Sequence, residues 1–199
     1  MYKNKLFLPE ELKGKEFQET EFFSCRFNGV SLRFSSFVNC VFKSCDFSGC
    51  EINDSYFAQC AFPESKLSFL DFSDTQFKDC DFSDTIMQSC TFQKLKPVQR
   101  YDHQKMNLTH CRFNKADLKE SIFVRCDLTR VPFGGANLEK TVFEKCQLIE
   151  TDFSRTNING ASFDTSVVKK AVLDFNGFIQ LGQSKGFVLP QNLDKGLRG

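Results

Sequence analysis

An apolar residue recurs at every fifth position over most of this chain of 199 residues. Stepping by five from Phe17 gives sixteen apolar residues in succession, the last of them Phe92. The register breaks there and resumes one residue out of phase at Leu108, from which fourteen apolar centres extend to Leu173. Eighteen of the 25 phenylalanines occupy these central positions. One structural position therefore demands the same shape throughout the chain.

A period of five matches neither an α-helix, with about 3.6 residues per turn, nor a strand, in which alternate side chains share a face. It is typical of a chain that turns a corner every five residues. Two side chains of each pentad, one large and one small, then point inward while three face water. Four such sides close a square coil of twenty residues, and successive coils stack as parallel strands.

The small inward position, two residues before each centre, holds every cysteine of the chain. These are Cys25, Cys40, Cys45, Cys50, Cys60, Cys80, Cys90, Cys111, Cys126 and Cys146. With twenty residues per coil, Cys40, Cys60 and Cys80 form one inward ladder, in which parallel neighbours are close enough for a disulfide by distance alone. In a reducing compartment we instead expect buried thiols that fill space.

The tandem pattern of a small residue, a polar residue, Phe or Leu, and two polar residues resembles the pentapeptide-repeat family. The resemblance implies an all-β fold, a right-handed quadrilateral parallel β-helix, here with a short C-terminal helical cap. The expected segments are an N-terminal cap (1–16), a first repeat block (17–92), a projecting loop (93–107), a second block (108–173) and a C-terminal capping and dimerisation segment (174–199).

The interruption between the two blocks is basic, and Pro97 within it cannot donate a ladder hydrogen bond. Because functional residues concentrate in loops on rigid scaffolds, we predict that this loop binds a partner. The side chains concerned are Lys94, Lys96, Arg100, Tyr101, His103 and Lys105. The alternative is a tolerated insertion with solvated charges.

The residues after Leu173 predict a helix that covers the last coil. Asp174 is a candidate N-cap, and apolar residues follow it on one helical face. A solenoid needs its last coil covered, but the tail carries more apolar side chains than one coil end needs. We therefore expect a homodimer, with a simple cap as the alternative. The predicted contacts are Phe175, Phe178, Ile179, Leu181, Phe187, Val188 and Leu189.

Charge is distributed unevenly between the two blocks. The first holds eleven acidic and five basic residues, the second eight acidic and ten basic residues. With twenty residues per coil, Glu51 stacks beneath Asp71 and Asp54 beneath Asp74. The patch is predicted to continue around the corner through Asp79, Asp81 and Asp84. This acidic face is either a partner-binding surface or an ordinary solvated one.

Three features together are similar to the topoisomerase-protection branch of the family, the quinolone-resistance and peptide-toxin immunity type. They are the bipartite repeat, the loop between its halves, and Ala171, Leu173 and Asp174 followed by an apolar helix and Gly186. The resemblance implies a homodimer that binds DNA gyrase or topoisomerase IV and shields it from inhibitors that trap cleaved DNA. Members of that branch are often strongly acidic, whereas this chain has a net charge of +1, so we expect DNA mimicry only in part. The other hypothesis is an interaction scaffold with no topoisomerase role.

Composition and motifs disfavour several other classes. The net charge of +1 argues against direct nucleic-acid binding. No apolar run is long enough for a membrane span or a secretory signal, so we expect a cytoplasmic protein. His110 beside Cys111 invites a metal site, but the pentad register points only Cys111 inward. Without a phosphate loop or a catalytic triad, neither an enzyme nor a cofactor is expected.

Overall fold

The computed structural model describes residues 1–95 and 105–190 of the chain. It is a parallel β-solenoid of about eight turns with one short C-terminal helix, which confirms the predicted fold class. Coils pair with a register of twenty residues, since Phe17 lies opposite Phe37 and Phe37 opposite Phe57. No helix of the described residues is long and apolar enough to cross a membrane.

Each coil has four sides, which we name faces A to D in chain order. Phe17, Phe22, Phe27 and Leu32 are central residues of faces A, B, C and D in one coil, and the faces continue upward in steps of twenty. Face C is joined by single bridges, whereas the other faces contain short strands.

The strands belong to four parallel sheets. On face A these are β2 (Glu16–Gln18), β4 (Ser36–Val38), β6 (Tyr56–Ala58) and β7 (Gln76–Lys78), and above them β9 (Met106–Asn107), β11 (Cys126–Asp127), β13 (Gln147–Ile149) and β14 (Val167–Lys169). Face B contains β1 (Tyr2–Lys3), β3 (Glu21–Phe23) and β5 (Val41–Lys43), and face D contains β8 (Thr91–Phe92), β10 (Ile122–Val124) and β12 (Val142–Glu144). The helix α1 spans Phe175–Ser184.

The segment 1–16, predicted to be a cap before the repeats, forms the first coil of the column. Tyr2 pairs with Phe22, and Leu6 bridges to Arg26. The ring of Phe7 stacks on that of Phe27 with 4.9 Å between centroids. The Lys5 ammonium closes this end, because it lies 5.2 Å from the Tyr2 ring centroid and 4.5 Å from that of Phe7. Lys5 also forms an ion pair with Glu11.

The interruption between the blocks does not change the order of the faces. Asp81 bridges to Arg112 and Thr91 pairs with Ile122, so the register across the break is 31 residues instead of twenty. The described chain therefore ends its face D pentad at Leu95 and resumes on face A at β9, with eleven more residues between faces D and A than a regular coil has. Among the described residues, no backbone hydrogen bond joins β7 to β9, so the face A ladder is interrupted there. Residues 106–107, predicted to belong to the loop, form β9, and Met106 is buried.

The corners of the coil need a left-handed backbone conformation. The residue two positions after a centre has a positive φ in pentad after pentad, and the values for non-glycine residues lie between 50° and 63°. Polar residues with short side chains and glycine tolerate this region best. Many of these corners accordingly hold Asn, Asp, Ser or Gly, and most of the others hold Lys, Arg or Glu.

Stacked phenylalanine rings fill the column. On face B the ring of Phe42 lies 4.7 Å from that of Phe22 and 5.1 Å from that of Phe62, with interplanar angles of 7° in both pairs. The stack crosses the break between the blocks, since the centroids of Phe82 and Phe113 are also 5.1 Å apart. Rings of neighbouring faces meet edge to face, an arrangement that the aromatic quadrupole favours.

All ten cysteines are buried free thiols, as predicted. Cys40, Cys60 and Cys80 share one corner, and the register of 31 residues places Cys111 above them. The sulfurs of Cys40, Cys60 and Cys80 lie near backbone carbonyls of the coil below, and the Sγ of Cys60 is 3.4 Å from the Phe37 oxygen. Burial raises the pKa of Cys50 and of Cys90 to about 12. His110 is exposed while Cys111 is buried, and the described residues contain no group suited to a metal ion.

Helix α1 is fixed to the last coil by the side chain of Asp174. One carboxylate oxygen accepts from the Gly177 N–H at 2.8 Å and the other from the Arg155 N–H at 2.8 Å. These donors lower the pKa of Asp174. The Ile158 N–H donates to Gln180 Oε1 at 2.7 Å, which ties the middle of the helix to face C. The helical cap was therefore predicted correctly from Asp174 and the residues after it.

We expect Phe42→Ala to destabilise the column strongly. The ring is fully buried between those of Phe22 and Phe62, and truncation of such a ring costs about 3–5 kcal/mol. Phe69→Ala is the control, because Phe69 is 78% exposed and its loss should change stability by under ~0.5 kcal/mol. Urea unfolding followed by far-ultraviolet circular dichroism measures both. Similar midpoints for the two variants would contradict the stacked core.

The thiols should be inert in the folded protein. All ten sulfur atoms are buried out of reach of a disulfide reagent, which only a thiolate attacks, and the raised pKa of Cys50 and of Cys90 keeps these two thiols protonated at mildly alkaline pH. Ellman's reagent should therefore label almost none of them in native protein and all ten in guanidinium. Labelling of native protein at the rate of the unfolded chain would show that the ladders are open to solvent.

Two glycines of α1 offer a matched pair of substitutions. A Cβ at Gly177 would lie 2.8 Å from Leu173 Cδ2, whereas a Cβ at Gly182 would lie 3.9 Å from Phe187 Cβ. Gly177→Ala should destabilise the docked helix by about 1–3 kcal/mol because of overpacking. Gly182→Ala should be neutral or stabilising, since alanine favours helix by ~1 kcal/mol. Thermal unfolding of both variants measures this, and shifts of the same sign and size would refute the docking geometry.

Candidate partner-binding surface

Four carboxylates line a shallow depression on face D of the first block. Glu51 and Asp71 occupy equivalent positions of successive coils, and Asp54 and Asp74 follow them at the corner to face A. We call these four residues the face D carboxylates. Arg33 and Leu95 also line the depression, together with Asn53 and Ser73. The four residues predicted to stack therefore line one depression.

The face D carboxylates differ in their hydrogen-bond partners. Asp54 accepts from an Arg33 guanidinium nitrogen at 3.2 Å, and Asp74 accepts from the Leu95 N–H at 3.0 Å. Asp71 accepts from the Ser73 N–H at 2.9 Å. Glu51 and Asp71 are exposed, and in residues 1–95 and 105–190 no cation lies within ion-pairing distance of either. These two carboxylates are the ones that a cationic partner could reach.

The other predicted acidic residues lie on different sides of the column. Asp81 is on face B, which is opposite face D, while Asp79 is at the corner between faces A and B and Asp84 at the corner between faces B and C. Asp81 lies 3.7 Å from the Arg112 guanidinium. The carboxylates thus surround the column, and one flat partner surface cannot contact them all.

The predicted basic loop is described only at its two ends. Lys94 is half-buried at the end of a face D pentad, and Lys105 is exposed just before β9. Lys96, Arg100, Tyr101 and His103 lie outside the described residues. The first end nevertheless shows where the segment leaves the column, because the Leu95 N–H donates a hydrogen bond to Asp74, one of the face D carboxylates.

Charges in the second block pair between successive coils. On face C Lys119 lies 3.0 Å from Glu139, and at the corner between faces C and D Glu120 lies 3.5 Å from Lys140. At the corner between faces A and B the Arg130 guanidinium lies 2.7 Å from Glu150 and lowers the pKa of that carboxyl group. The second block therefore has no uncompensated acidic strip comparable to face D among its described residues.

Apolar side chains are exposed at the C-terminal end. Phe175 and Phe178 of α1 are 75% and 60% exposed, and they form a groove with Phe187, Val188 and Leu189. Ile179 also lines this groove, while Leu181 packs against the core. Exposed valines of the last coil extend the apolar surface: Val167, Val168 and Val172. Six of the seven predicted dimer contacts therefore share one groove, and Leu181 instead holds the helix to the column.

Two exposed aromatic residues were missed by the sequence analysis. Phe34 and Phe69 are 61% and 78% exposed and occupy left-handed corners with φ of 62° and 63°. They are the two apolar residues among the non-glycine positions of positive φ in the described chain. The available signal was that both phenylalanines stand outside the central register.

Two family models match the chain. The one for a pentapeptide repeat region matches residues 97–173, and the one for pentapeptide repeats in 8 copies matches residues 25–62. A comparison with curated protein sequences gives no significant match.

Solved structures share the fold at low sequence identity. A trypsin-treated variant of QnrB1, a plasmid-mediated fluoroquinolone resistance protein, is 14% identical with a TM-score of 0.58, and the match covers 95% of this chain and 96% of QnrB1. Full-length QnrB1 has a TM-score of 0.41 at 16% identity, covering 94% and 97%. HetL is a protein involved in heterocyst differentiation regulation in the cyanobacterium Nostoc. It is 14% identical with a TM-score of 0.31, and the match covers 87% of this chain and 91% of HetL. Repeat pattern, coil geometry and family matches agree: the chain belongs to the pentapeptide-repeat family.

Proposed function

We propose that the chain binds a bacterial type II topoisomerase, DNA gyrase or topoisomerase IV, and protects it from inhibitors that trap cleaved DNA. It does so as a homodimer joined through its C-terminal ends. The acidic first half and the basic segment between the blocks contact the enzyme. The observation that carries the proposal is the position of that segment, which leaves the column beside the face D carboxylates.

The extent of the fold match to QnrB1 supports this function. The correspondence runs over nearly the whole of both chains, so the likeness is not confined to a few repeats. QnrB1 is a fluoroquinolone resistance protein, and resistance of this kind is what shielding a topoisomerase would provide.

The dimensions of the column suit a DNA-binding groove. About eight turns at ~4.8 Å per turn give a rod of roughly 38 Å. Two such rods joined end to end would match about 22 base pairs of duplex at ~3.4 Å per step. Carboxylates that repeat from coil to coil on face D present a row of negative charge, which electrostatic complementarity would direct towards a cationic groove. The mimicry is confined to the first half, because charges of the second half pair with one another.

A dimer through the C-terminal ends follows from the apolar groove on α1. A two-fold contact brings the same surface of each protomer together, so Phe175 and Phe178 would be covered by their counterparts. The N-terminal end has the Lys5–Glu11 ion pair over its rings and is unsuited to such a contact.

A scaffold with no topoisomerase role is the second candidate. The net charge of +1 and the paired charges of the second block favour it, since much of the column then resembles an ordinary solvated surface. The two candidates differ in their partners: only the first predicts that gyrase or topoisomerase IV subunits are retained when the tagged protein is passed through a bacterial lysate.

The test is supercoiling by purified gyrase in the presence of a fluoroquinolone. Wild-type protein should restore supercoiled product. Deletion of residues 95–105 should remove the protection while the column stays folded, because eleven residues are then lost and the register returns to twenty. Replacement of the same residues by a Gly-Ser segment of equal length is the matched control, and it separates loss of the basic side chains from fusion of the blocks.

The self-association is tested in the same preparation. Sedimentation should give twice the chain mass for wild type and the chain mass for Phe175→Ser with Phe178→Ser. The monomeric variant should protect less at equal protein concentration. Equal supercoiling with and without wild-type protein, for gyrase and topoisomerase IV and across several poisons, would reject the proposed function.

A further inference from the structure

Phe34 and Phe69 stand at the two edges of the acidic face D. Phe34 occupies the corner between faces D and A, the same corner as Asp54 and Asp74 in the next two coils. Phe69 occupies the corner between faces C and D, two residues before Asp71. Glu51 and Asp71, which are on face D itself, therefore lie between the two corners that carry the rings.

Both rings project from the column instead of packing on it. At the corner of Phe69 the two preceding coils carry Gly29 and Gly49, so no side chain lies beneath the ring. The ring of Phe34 contacts the Arg33 guanidinium, whose carbon lies 5.2 Å from the ring centroid, and it remains 61% exposed. Leu95, 62% exposed, adds a third apolar group at the edge of the depression.

Neither ring serves the fold. The corner conformation is disfavoured for a bulky side chain, and Asn39 and Asn4 occupy equivalent corners with φ of 52°. Exposed aromatic rings on a rigid surface are typical anchors of protein interfaces. Single exposed apolar residues are common on any protein, but here two exposed rings occupy the two corners of the face whose acidic depression Leu95 lines.

The charge of the surface selects the kind of partner. Glu51 and Asp71 would repel nucleic acid and anionic lipid headgroups, and a second copy of face D would bring like charges together. A protein segment that presents Lys or Arg beside apolar side chains complements both the carboxylates and the rings.

We propose that face D between Phe34 and Phe69 is a docking surface for a cationic amphipathic segment of a partner protein, with the two rings as apolar anchors and Glu51 and Asp71 as the acceptors for its basic side chains. The proposal rests on the proposed function only for the identity of that partner, which would then be the topoisomerase. It goes beyond it in assigning the contact to aromatic residues, which DNA mimicry does not use.

The first experiment titrates full-length protein with a synthetic amphipathic helical peptide of lysine and leucine by calorimetry, with a glutamine–leucine peptide as the uncharged probe. Wild type should bind the cationic peptide and not the uncharged one. Phe34→Asn with Phe69→Asn should weaken binding at least tenfold, and Phe34→Tyr with Phe69→Tyr should restore it. Val41→Thr with Ile86→Thr, which alters exposed apolar residues on faces B and C, is the matched control and should bind as wild type.

Stability separates an anchoring role from a structural one. Because asparagine accepts a positive φ more readily than phenylalanine, the double asparagine variant should unfold at the same temperature as wild type or higher. Weaker binding together with unchanged or raised stability supports the proposal. Wild-type affinity in the asparagine variant, or no binding of the cationic peptide by wild type, overturns it.

The second experiment repeats the gyrase assay with the same variants. Loss of protection in the asparagine variant but not in the threonine control supports docking on the topoisomerase itself. If wild type binds the peptide as described but never protects gyrase or topoisomerase IV, the docking surface stands and the proposed function fails. If wild type protects and the asparagine variant protects equally, the proposed function stands and the aromatic anchors are refuted.

Discussion

Contact between one coil and the next is the interaction on which every other feature of the molecule depends. A single coil of four pentads has no second layer to bury its side chains, and its backbone donors point at the coils above and below. Rings such as Phe42 and Phe62 stack at about 5 Å because the parallel ladder sets the coils at that spacing. The same spacing places Cys60 above Cys40 and Asp71 above Glu51, so core ladders and surface rows share one origin.

The break between the blocks illustrates how strongly this spacing is enforced. Eleven additional residues enter the chain, yet Phe113 stacks on Phe82 with the same separation as rings within a block. Among the described residues, the insertion breaks the hydrogen-bonded ladder on face A, where β7 and β9 do not pair. An insertion can therefore diversify the surface without disturbing the core, provided that the chain returns to the corner from which it left.

Much of the fold could be predicted because the sequence repeats its structural unit so often. The five-residue period predicts the four-sided coil, the inward direction of the cysteines and the row of carboxylates from Glu51 to Asp74. The same step backwards from Phe17 reaches Leu12, Phe7 and Tyr2, so the repeat also predicts the first coil, in the segment expected to be a cap. The alignment of faces across the break was not available, because a count of residues does not state how many corners the extra ones turn.

The candidate surfaces were predicted less completely, because they depend on which residues share a side of the column. Asp81 follows Asp71 closely in sequence yet lies on the opposite face, since two corners separate them. Phe34 and Phe69 were not predicted, because the five-residue repeat identifies only the phenylalanines at its central positions. The proposed docking surface depends on these two phenylalanines, which stand outside the repeat without changing the fold.

The two ends of the column differ in chemistry, and the difference limits the size of any assembly. Lys5 and Glu11 place a charged pair over the first rings, while Phe175 and Phe178 leave the other end apolar. A stack of identical rods in head-to-tail order would need the apolar end of one rod to desolvate the ion pair of the next, and burial of a charged pair is costly. This opposes growth into a filament and is compatible with the proposed pairing of like ends.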